Sequence, residues 1–416
     1  GAVVSGLFEE DISGVARTHA ATSAPRSHLK GLNDAQRDAV MHAGGPLIVL
    51  AGPGTGKTRV IVSRIAHLIA ERDADPGSIL ALTFTNKAAG EMRERLGDML
   101  DPLTAERVHA HTFNGFGASL LRRFSDLAGL PREPSLSDSA QRVRMMRASV
   151  RDRGLFRDAV ASGIDEAIRS SRKRSGAMVA AGLTPASARE RIRAHAAGLD
   201  GRGLDEIDLA AERPLVGRLG EVVDLWETFD AECLSRGLIG FDHQIAWATR
   251  MLAEKPTARA FARRDYRHVV VDEFQDVNDA QIALLAQIAP PGNGSESGPD
   301  LCVVGDDAQA IYGFRGADDR AFEKFASRWA GARTVMLEEN YRSGSAVLEA
   351  AATVIGRAHK RFRPDKVVRR ASNTGDEPMG AIVEGVRLET HYQAGEVIAT
   401  TIRHDLETRE GARLGD

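Results

Sequence analysis

The sequence predicts an α/β protein built on a parallel sheet with helices on both faces, and three observations carry that prediction. Apolar runs of strand length recur at Pro46–Leu50, Ile79–Thr83, His268–Val271 and Leu301–Val304. Each is followed by a segment with apolar residues at helical spacing, namely Arg59–Ala70, Lys87–Met99, Ala280–Ile288 and Asp319–Trp329. Strands that are apolar throughout are buried on both faces, as they are when helices cover a parallel sheet from each side. The third observation is an interruption. From about Phe124 to Phe241 the chain is rich in Ala and Arg, keeps a helical period and has almost no strand-like run, which predicts a helical insertion. Turn signals at Gly129-Leu130-Pro131, Gly182–Pro185 and Gly201–Gly203 divide it, and Pro290–Pro299 is a Pro-, Gly- and Ser-rich loop.

Length and composition bound the possibilities. A chain of 416 residues is too long for one core and predicts two or three domains. Hydrophobic content of 43% with 27% charge is that of a soluble protein, and no apolar run reaches the ~18 residues a bilayer-spanning helix needs, so no membrane role is expected. No charged-then-apolar secretory leader opens the sequence, and Cys233 and Cys302 are too few for a disulfide framework; the cytoplasm is the expected compartment. Residues 1–28 mix Gly, Ser, Thr and Ala without a period and read as a mobile extension. The net charge of −3 excludes a uniformly basic nucleic-acid binder but not a local patch. Between Gln141 and Ala194, 13 Arg or Lys face 5 Asp or Glu, with Arg169, Arg172, Lys173 and Arg174 closely spaced. Such spacing suits a solvated helix face or a phosphate-contacting surface equally.

Three motifs carry chemistry. Ala51-Gly52-Pro53-Gly54-Thr55-Gly56-Lys57-Thr58 joins the first strand to a helix, the context of a phosphate-binding loop; Ala51 takes a place often held by Gly. Glycines let backbone N–H groups converge on phosphate at a helix N-terminus, Lys57 reaches the β- and γ-phosphates, and Thr58 presents a hydroxyl to Mg²⁺. The strand His268–Val271 ends in Asp272 and Glu273. Adjacent carboxylates are costly without a cation nearby, so Asp272 suits Mg²⁺ and Glu273 suits a general base for the attacking water. The strand Leu301–Val304 leads into Gly305–Gly316, where Gln309 is a neutral amide able to sense a γ-phosphate, and Tyr312 and Phe314 could stack on bases.

The order and spacing of these motifs resemble the UvrD, Rep and PcrA group of superfamily 1 DNA helicases from about Leu32 to Arg361. The fold this resemblance implies is a P-loop NTPase with a RecA-like parallel sheet, a helical insertion subdomain and an incomplete second RecA-like lobe. Leu32–Val40 resembles the adenine-recognising segment, in which Gln36 would contact the base. Ala81–Ala89, including Thr83, Phe84, Thr85 and Asn86, and His111-Thr112-Phe113-Asn114 resemble DNA-contacting segments, with Tyr312, Phe314 and Arg315 joining them. Asn114 stands where the family often has histidine and Phe314 where it often has tryptophan. Leu337–Ser343 resembles the motif opening the second lobe, which would make Tyr341 an adenine-stacking residue, Arg342 the arginine that reaches the γ-phosphate, and Arg59 a neighbour of the nucleotide.

The implied organisation is a first lobe at 29–123 and 242–333, a DNA-facing insertion at 124–241, and the start of a truncated second lobe at 334–416. The implied activity is ATP- and Mg²⁺-dependent translocation, 3′ to 5′, on single-stranded DNA and at duplex junctions, in repair, replication or recombination, with repair or transcription proteins as partners. The later motifs of the second lobe are not found before Asp416, so these residues alone are expected to bind ATP without unwinding duplex DNA. Two other readings stand beside it: the motor of a helicase-nuclease subunit, and a non-catalytic scaffold for DNA or a partner.

Overall fold

The computed structural model describes residues 27–157, 163–199, 206–240, 243–292, 300–313, 318–358, 361–372, 374 and 390–408. Ten strands appear in them: β1 (Pro46–Ala51), β2 (Ile79–Thr83), β3 (His109–Thr112), β4 (Ser135–Leu136), β5 (Leu238–Ile239), β6 (His268–Val271), β7 (Asp300–Gly305), β8 (Arg333–Leu337), β9 (Glu339–Asn340) and β10 (Arg369–Arg370). Six of them form one parallel sheet in the order β3-β2-β6-β7-β1-β8. The α/β prediction holds, and the four expected strand–helix pairs are all present.

The pleat divides the strand side chains between two cores. Ile48, Leu50, Leu80, Leu82, Val269, Val271, Leu301 and Val303 lie on one face, with Phe113, Phe116, Leu284, Phe325 and Trp329 from the covering helices. Leu47, Val49, Ala51, Ile79, Ala81, Val270, Cys302 and Val304 lie on the other, under the helices Asp34–Met41, Lys57–Arg72 and Asn86–Met99. Each buried aliphatic side chain contributes about 1.5–3 kcal/mol, and a one-residue slip would exchange the two sets, so the register is firmly held. Cys233 and Cys302 are free thiols in these cores, and burial pushes both up to about 12.

The segment 124–241 is helical as expected, with long helices at Ser139–Arg153, Ile164–Ala180, Pro185–Leu199 and Glu206–Ser235. Its only described strands are the two-residue β4 and β5, which pair with each other. Met145, Met146, Val150, Leu225 and Phe229 from this segment belong to the same core as Ile48 and Leu50, so the insertion is welded to one face of the sheet. A smaller cluster of Val179, Ala188, Val223 and Trp226 is its own.

Two details differ from the sequence reading. β8 pairs with β1, so the first sheet runs on to Leu337, beyond the 333/334 boundary. An edge strand with one buried face alternates Val335 and Leu337 with more exposed residues and lacks the continuous apolar signature of its neighbours. Ser27–Leu29, which straddle the end of the expected mobile extension 1–28, form a short 3₁₀ turn whose His28 is buried 3.3 Å from His67. Residues 1–26, the Gly201–Gly203 turn and positions 293–299 lie outside the described residues.

A buried ion cluster ties the sheet together at its other end. The Arg64 guanidinium, 1% exposed, donates to Asp300 (2.6 Å) and to the carbonyls of Ala39, Val40 and His42, while His268 lies 2.5 Å from the second Asp300 oxygen. This joins β6, β7 and two helices. Among the described residues no helix is long and apolar enough to cross a membrane.

Candidate nucleotide-binding active site

In a parallel sheet the carboxyl ends of all strands share one edge, and the loops that leave it gather there. Ala51, Thr83, Thr112, Val271, Gly305 and Leu337 end their strands at this edge. The loop after β1 turns through Gly54 (φ 65°) and Gly56 (φ 84°), left-handed positions that favour glycine, and enters the helix Lys57–Arg72. Its outward side is braced at each step. Thr55 Oγ1 donates to the Gly52 carbonyl (2.8 Å), Gln36 Nε2 to that of Thr55 (2.9 Å), Asn340 Nδ2 to that of Pro53 (2.5 Å), and the Tyr341 N–H to that of Gly54 (2.9 Å). With its carbonyls engaged behind it, the loop presents a helix start whose first N–H groups have no intrahelical partner, an anion-binding arrangement.

The two carboxylates at the β6 tip sit across the β7 terminus from that loop. Glu273 adopts φ 49°, ψ 47°, a left-handed conformation costing about 1–2 kcal/mol for a non-glycine residue, and its N–H donates to Asp272 Oδ1 (2.9 Å). The strained turn aims Glu273 at Lys57, with Oε2 3.9 Å from Nζ. Burial and the neighbouring Glu273 charge raise the Asp272 carboxyl to about 6, against only partial relief from Lys57; Asp276 is raised to about 6 by the same two causes. Three carboxylates therefore share one nearby lysine, and among the described residues Asp276 Oδ1 is buried without a hydrogen-bond partner. The excess negative charge and the unpartnered Asp276 oxygen suit a cation, but among the described residues no group of three or more His, Cys, Asp or Glu side chains is placed to hold a metal ion by itself.

The β7 tip is the bridge between these groups. Gln275, buried behind Glu273, donates to Glu273 Oε2 (2.7 Å) and accepts from the Asp306 N–H (2.9 Å). A side chain at Gly305 would overlap Gln275 and the Phe274 backbone, so this approach requires glycine. Asp306 Oδ2 in turn accepts from Gln309 Nε2 (2.9 Å). Lys57, Glu273, Gln275, Asp306 and Gln309 thus form one chain of contacts across three strand tips. The sequence motifs contain Gln275 and Asp306, but nothing in their type or spacing marks them as the links.

The expected second-lobe residues lie against the loop. Arg342 donates its N–H to Asn340 Oδ1 (2.8 Å) and packs over Gly54, with an exposed side chain that makes no side-chain hydrogen bond or ion pair among the described residues. The Tyr341 hydroxyl accepts from Asn33 (2.9 Å) and donates to Glu339 (2.9 Å), leaving the ring exposed. Arg59 reaches the Lys30 carbonyl (2.7 Å) beside them. Gln36 is buried, and both ends of its amide are engaged, one on Thr55 and the other on the Asn33 N–H (3.0 Å), so it acts here as a brace for the loop. Asn340, Asn33 and Gln36 are the supports that motif reading did not assign as such.

The DNA-contact residues divide. Phe84 and Tyr312 stack on each other with centroids 5.1 Å apart, joining loops after β2 and β7. Thr85 and Asn86 are exposed at the start of the helix Asn86–Met99, which Thr85 caps; Thr112 caps the helix Phe113–Arg123, and His111 is half-buried. Thr83 and Phe113 are buried, Thr83 with its hydroxyl on the Thr85 carbonyl (3.0 Å) and Phe113 in the core; neither offers a surface to a ligand. Phe314 and Arg315 lie outside the described residues.

Comparison with known proteins gives the family. The chain is 35% identical over 379 residues to ATP-dependent DNA helicase UvrD1 of Mycobacterium tuberculosis, an alignment covering 89% of this chain and 45% of that protein. It is 32% identical to ATP-dependent DNA helicase PcrA of Bacillus subtilis (93% of this chain, 47% of that protein) and 32% identical to DNA helicase II of Escherichia coli (81% and 42%). The chain spans less than half the length of these relatives. Residues 32–330 match the UvrD/REP helicase N-terminal domain, and the chain belongs to that family.

Proposed function

We propose that this chain binds MgATP at the β1–β6–β7 edge and hydrolyses it as the motor portion of an ATP-dependent DNA helicase. The contact of Lys57 with Glu273 beside the raised Asp272 carboxyl carries the reading, because it joins a phosphate ligand, a base and a cation-seeking carboxylate. Lys57 and the helix N-terminus hold the phosphates. Glu273 accepts the proton of the attacking water, with the Gln275 amide fixing one of its oxygens. Thr58 and Asp272 would hold Mg²⁺, which neutralises phosphate charge when bound. Arg342 approaches the γ-phosphate from the far wall, Tyr341 takes the adenine, and Gln309 senses the phosphate that departs.

Single-stranded DNA, followed 3′ to 5′, would cross the Phe84–Tyr312 pair, where stacking contributes about 1–3 kcal/mol per base without sequence preference. Duplex junctions, repair or replication, and the cytoplasm complete the proposal. Exchanging Glu273 for glutamine is expected to leave ATP binding within about threefold while lowering turnover by about 10²–10⁴-fold. Equilibrium titration with a fluorescent nucleotide and a steady-state phosphate-release assay check it; loss of binding would remove Glu273 from the base role.

The basic insertion helix Ile164–Ala180 exposes Arg169, Lys173 and Arg174, which we assign to DNA phosphate contact. Reversing these three charges should weaken single-strand binding and lower the slope of log K against log[salt] by about 0.7 per lost contact. An unchanged slope would return them to a solvated surface.

A further inference from the structure

A buried lysine outside every motif joins this network. Lys366, with a side chain 2% exposed, places Nζ 2.6 Å from Asp306 Oδ1 and 2.5 Å from Asp307 Oδ1. The Asp306 and Asp307 side chains are 1% and 4% exposed. Lys366 belongs to the strap 361–372, which crosses the site edge. Phe362 stacks on Phe322, Val368 fills the space beside Gly52 where a side chain on the phosphate-binding loop would otherwise sit, and β10 pairs with β9 next to Tyr341 and Arg342.

We infer that Lys366 is a positioning residue for nucleotide turnover, acting through Asp306 to hold Gln309 and the β7 tip in their working geometry. The inference rests on the proposed ATP site. Two adjacent buried carboxylates repel each other and are costly without a counter-charge. Lys366 supplies that charge and fixes the Asp306 side chain, which uses Oδ1 for Lys366 and the Ala308 N–H and Oδ2 for the Gln309 amide. The Asp306 N–H also bonds Gln275, the partner of Glu273, so Asp306 is the hub between the sensing amide and the base. Without the lysine, Asp306 Oδ1 keeps only the Ala308 N–H, so the side chain is free to turn and its hold on the Gln309 amide loosens. Asp307 acts on the strap instead. Its carboxylate holds that segment through the Arg363 N–H (3.1 Å) and Lys366 and lies 4.0 Å from Arg361.

Lys366→Met, Asp307→Asn, Gln309→Ala and the Lys366→Met/Gln309→Ala pair are compared in ATP hydrolysis with single-stranded DNA. Hydrogen exchange across residues 305–309 is measured without nucleotide. Lys366→Met should lower kcat by about 30–100-fold with KM for ATP within about threefold, the scale of a misplaced active-site group. It should also speed exchange at 305–309. Added to Gln309→Ala it should cost less than about threefold more, because residues that act as a unit are not additive. Asp307→Asn, which loosens the strap and leaves the Asp306 contact, should cost less than about threefold.

Three outcomes overturn the inference: unchanged kcat and exchange in Lys366→Met, a full additional loss on top of Gln309→Ala, or an Asp307→Asn defect as large as that of Lys366→Met. The exchange measurement needs no turnover, so a wrong site assignment, seen as full hydrolysis by a Lys57 variant, is distinguishable from a wrong role for Lys366. If Lys366→Met does not fold, the same comparison is made in the Asp307→Asn background, where a single carboxylate remains and exchange at 305–309 decides between the two roles.

Discussion

Replacing Lys57 with alanine is expected to lower DNA-stimulated ATP hydrolysis by at least about 10²–10³-fold, the loss that follows removal of one preorganised charge-stabilising group in an enclosed site. The reason is positional. Lys57 is the first residue of its helix, half-buried, and the only cation within ion-pair distance of the Glu273 carboxylate among the described residues. A phosphate bound at the helix start would have this ammonium on one side and Glu273 beyond it, so no exposed arginine at the rim replaces it. A phosphate-release assay with saturating single-stranded DNA is the check, with thermal melting to show that the variant is folded. Hydrolysis at the parental rate would end the proposal that this edge is the active site.

The largest effect on stability is expected at the opposite end of the sheet. Asp300→Ala should cost about 3–5 kcal/mol at neutral pH, because it leaves the Arg64 guanidinium buried without its carboxylate. Burial alone would raise the Asp300 carboxyl, but hydrogen bonds from His268 and Arg64 and their charges outweigh it and hold it below the usual range. The sign of the pH dependence follows. A carboxyl with a depressed folded-state pKa contributes stability that is fully present above its unfolded value near 4 and is lost as pH falls through the lower folded value. The difference between parent and variant in urea unfolding should therefore be large at pH 7 and shrink below about pH 4. A difference under about 1 kcal/mol at pH 7, or one that widens in acid, would show that the cluster is not held by this carboxylate.

How much was legible beforehand can be traced residue by residue. The strands at Ile79–Thr83 and His268–Val271 were readable because both faces are buried and every position except the terminal Thr83 and His268 is apolar. β3 and β8 were not, since edge strands keep one face only, and His109–Thr112 reads as a polar motif when taken by itself. At the site, Lys57, Asp272 and Glu273 announce themselves because their chemistry needs a particular residue type next to a strand end. Gln275, Asn340 and Lys366 do not, because a bracing amide or a buried counter-charge can arrive from any distance along the chain. Phe113 shows the converse: a residue inside a recognisable motif whose side chain packs into the core.

Sequence alone determined the parallel sheet, the phosphate-binding loop, the adjacent acids and the family, all of which depend on local spacing and side-chain chemistry. Only the tertiary structure decided that β7 separates the strands leading to Lys57 and Glu273, that Gln36 braces the loop, and that a strap near residue 366 neutralises Asp306 and Asp307. Those facts are contacts between residues tens to hundreds of positions apart, and a one-dimensional pattern records which groups exist without recording which of them share a low-dielectric space.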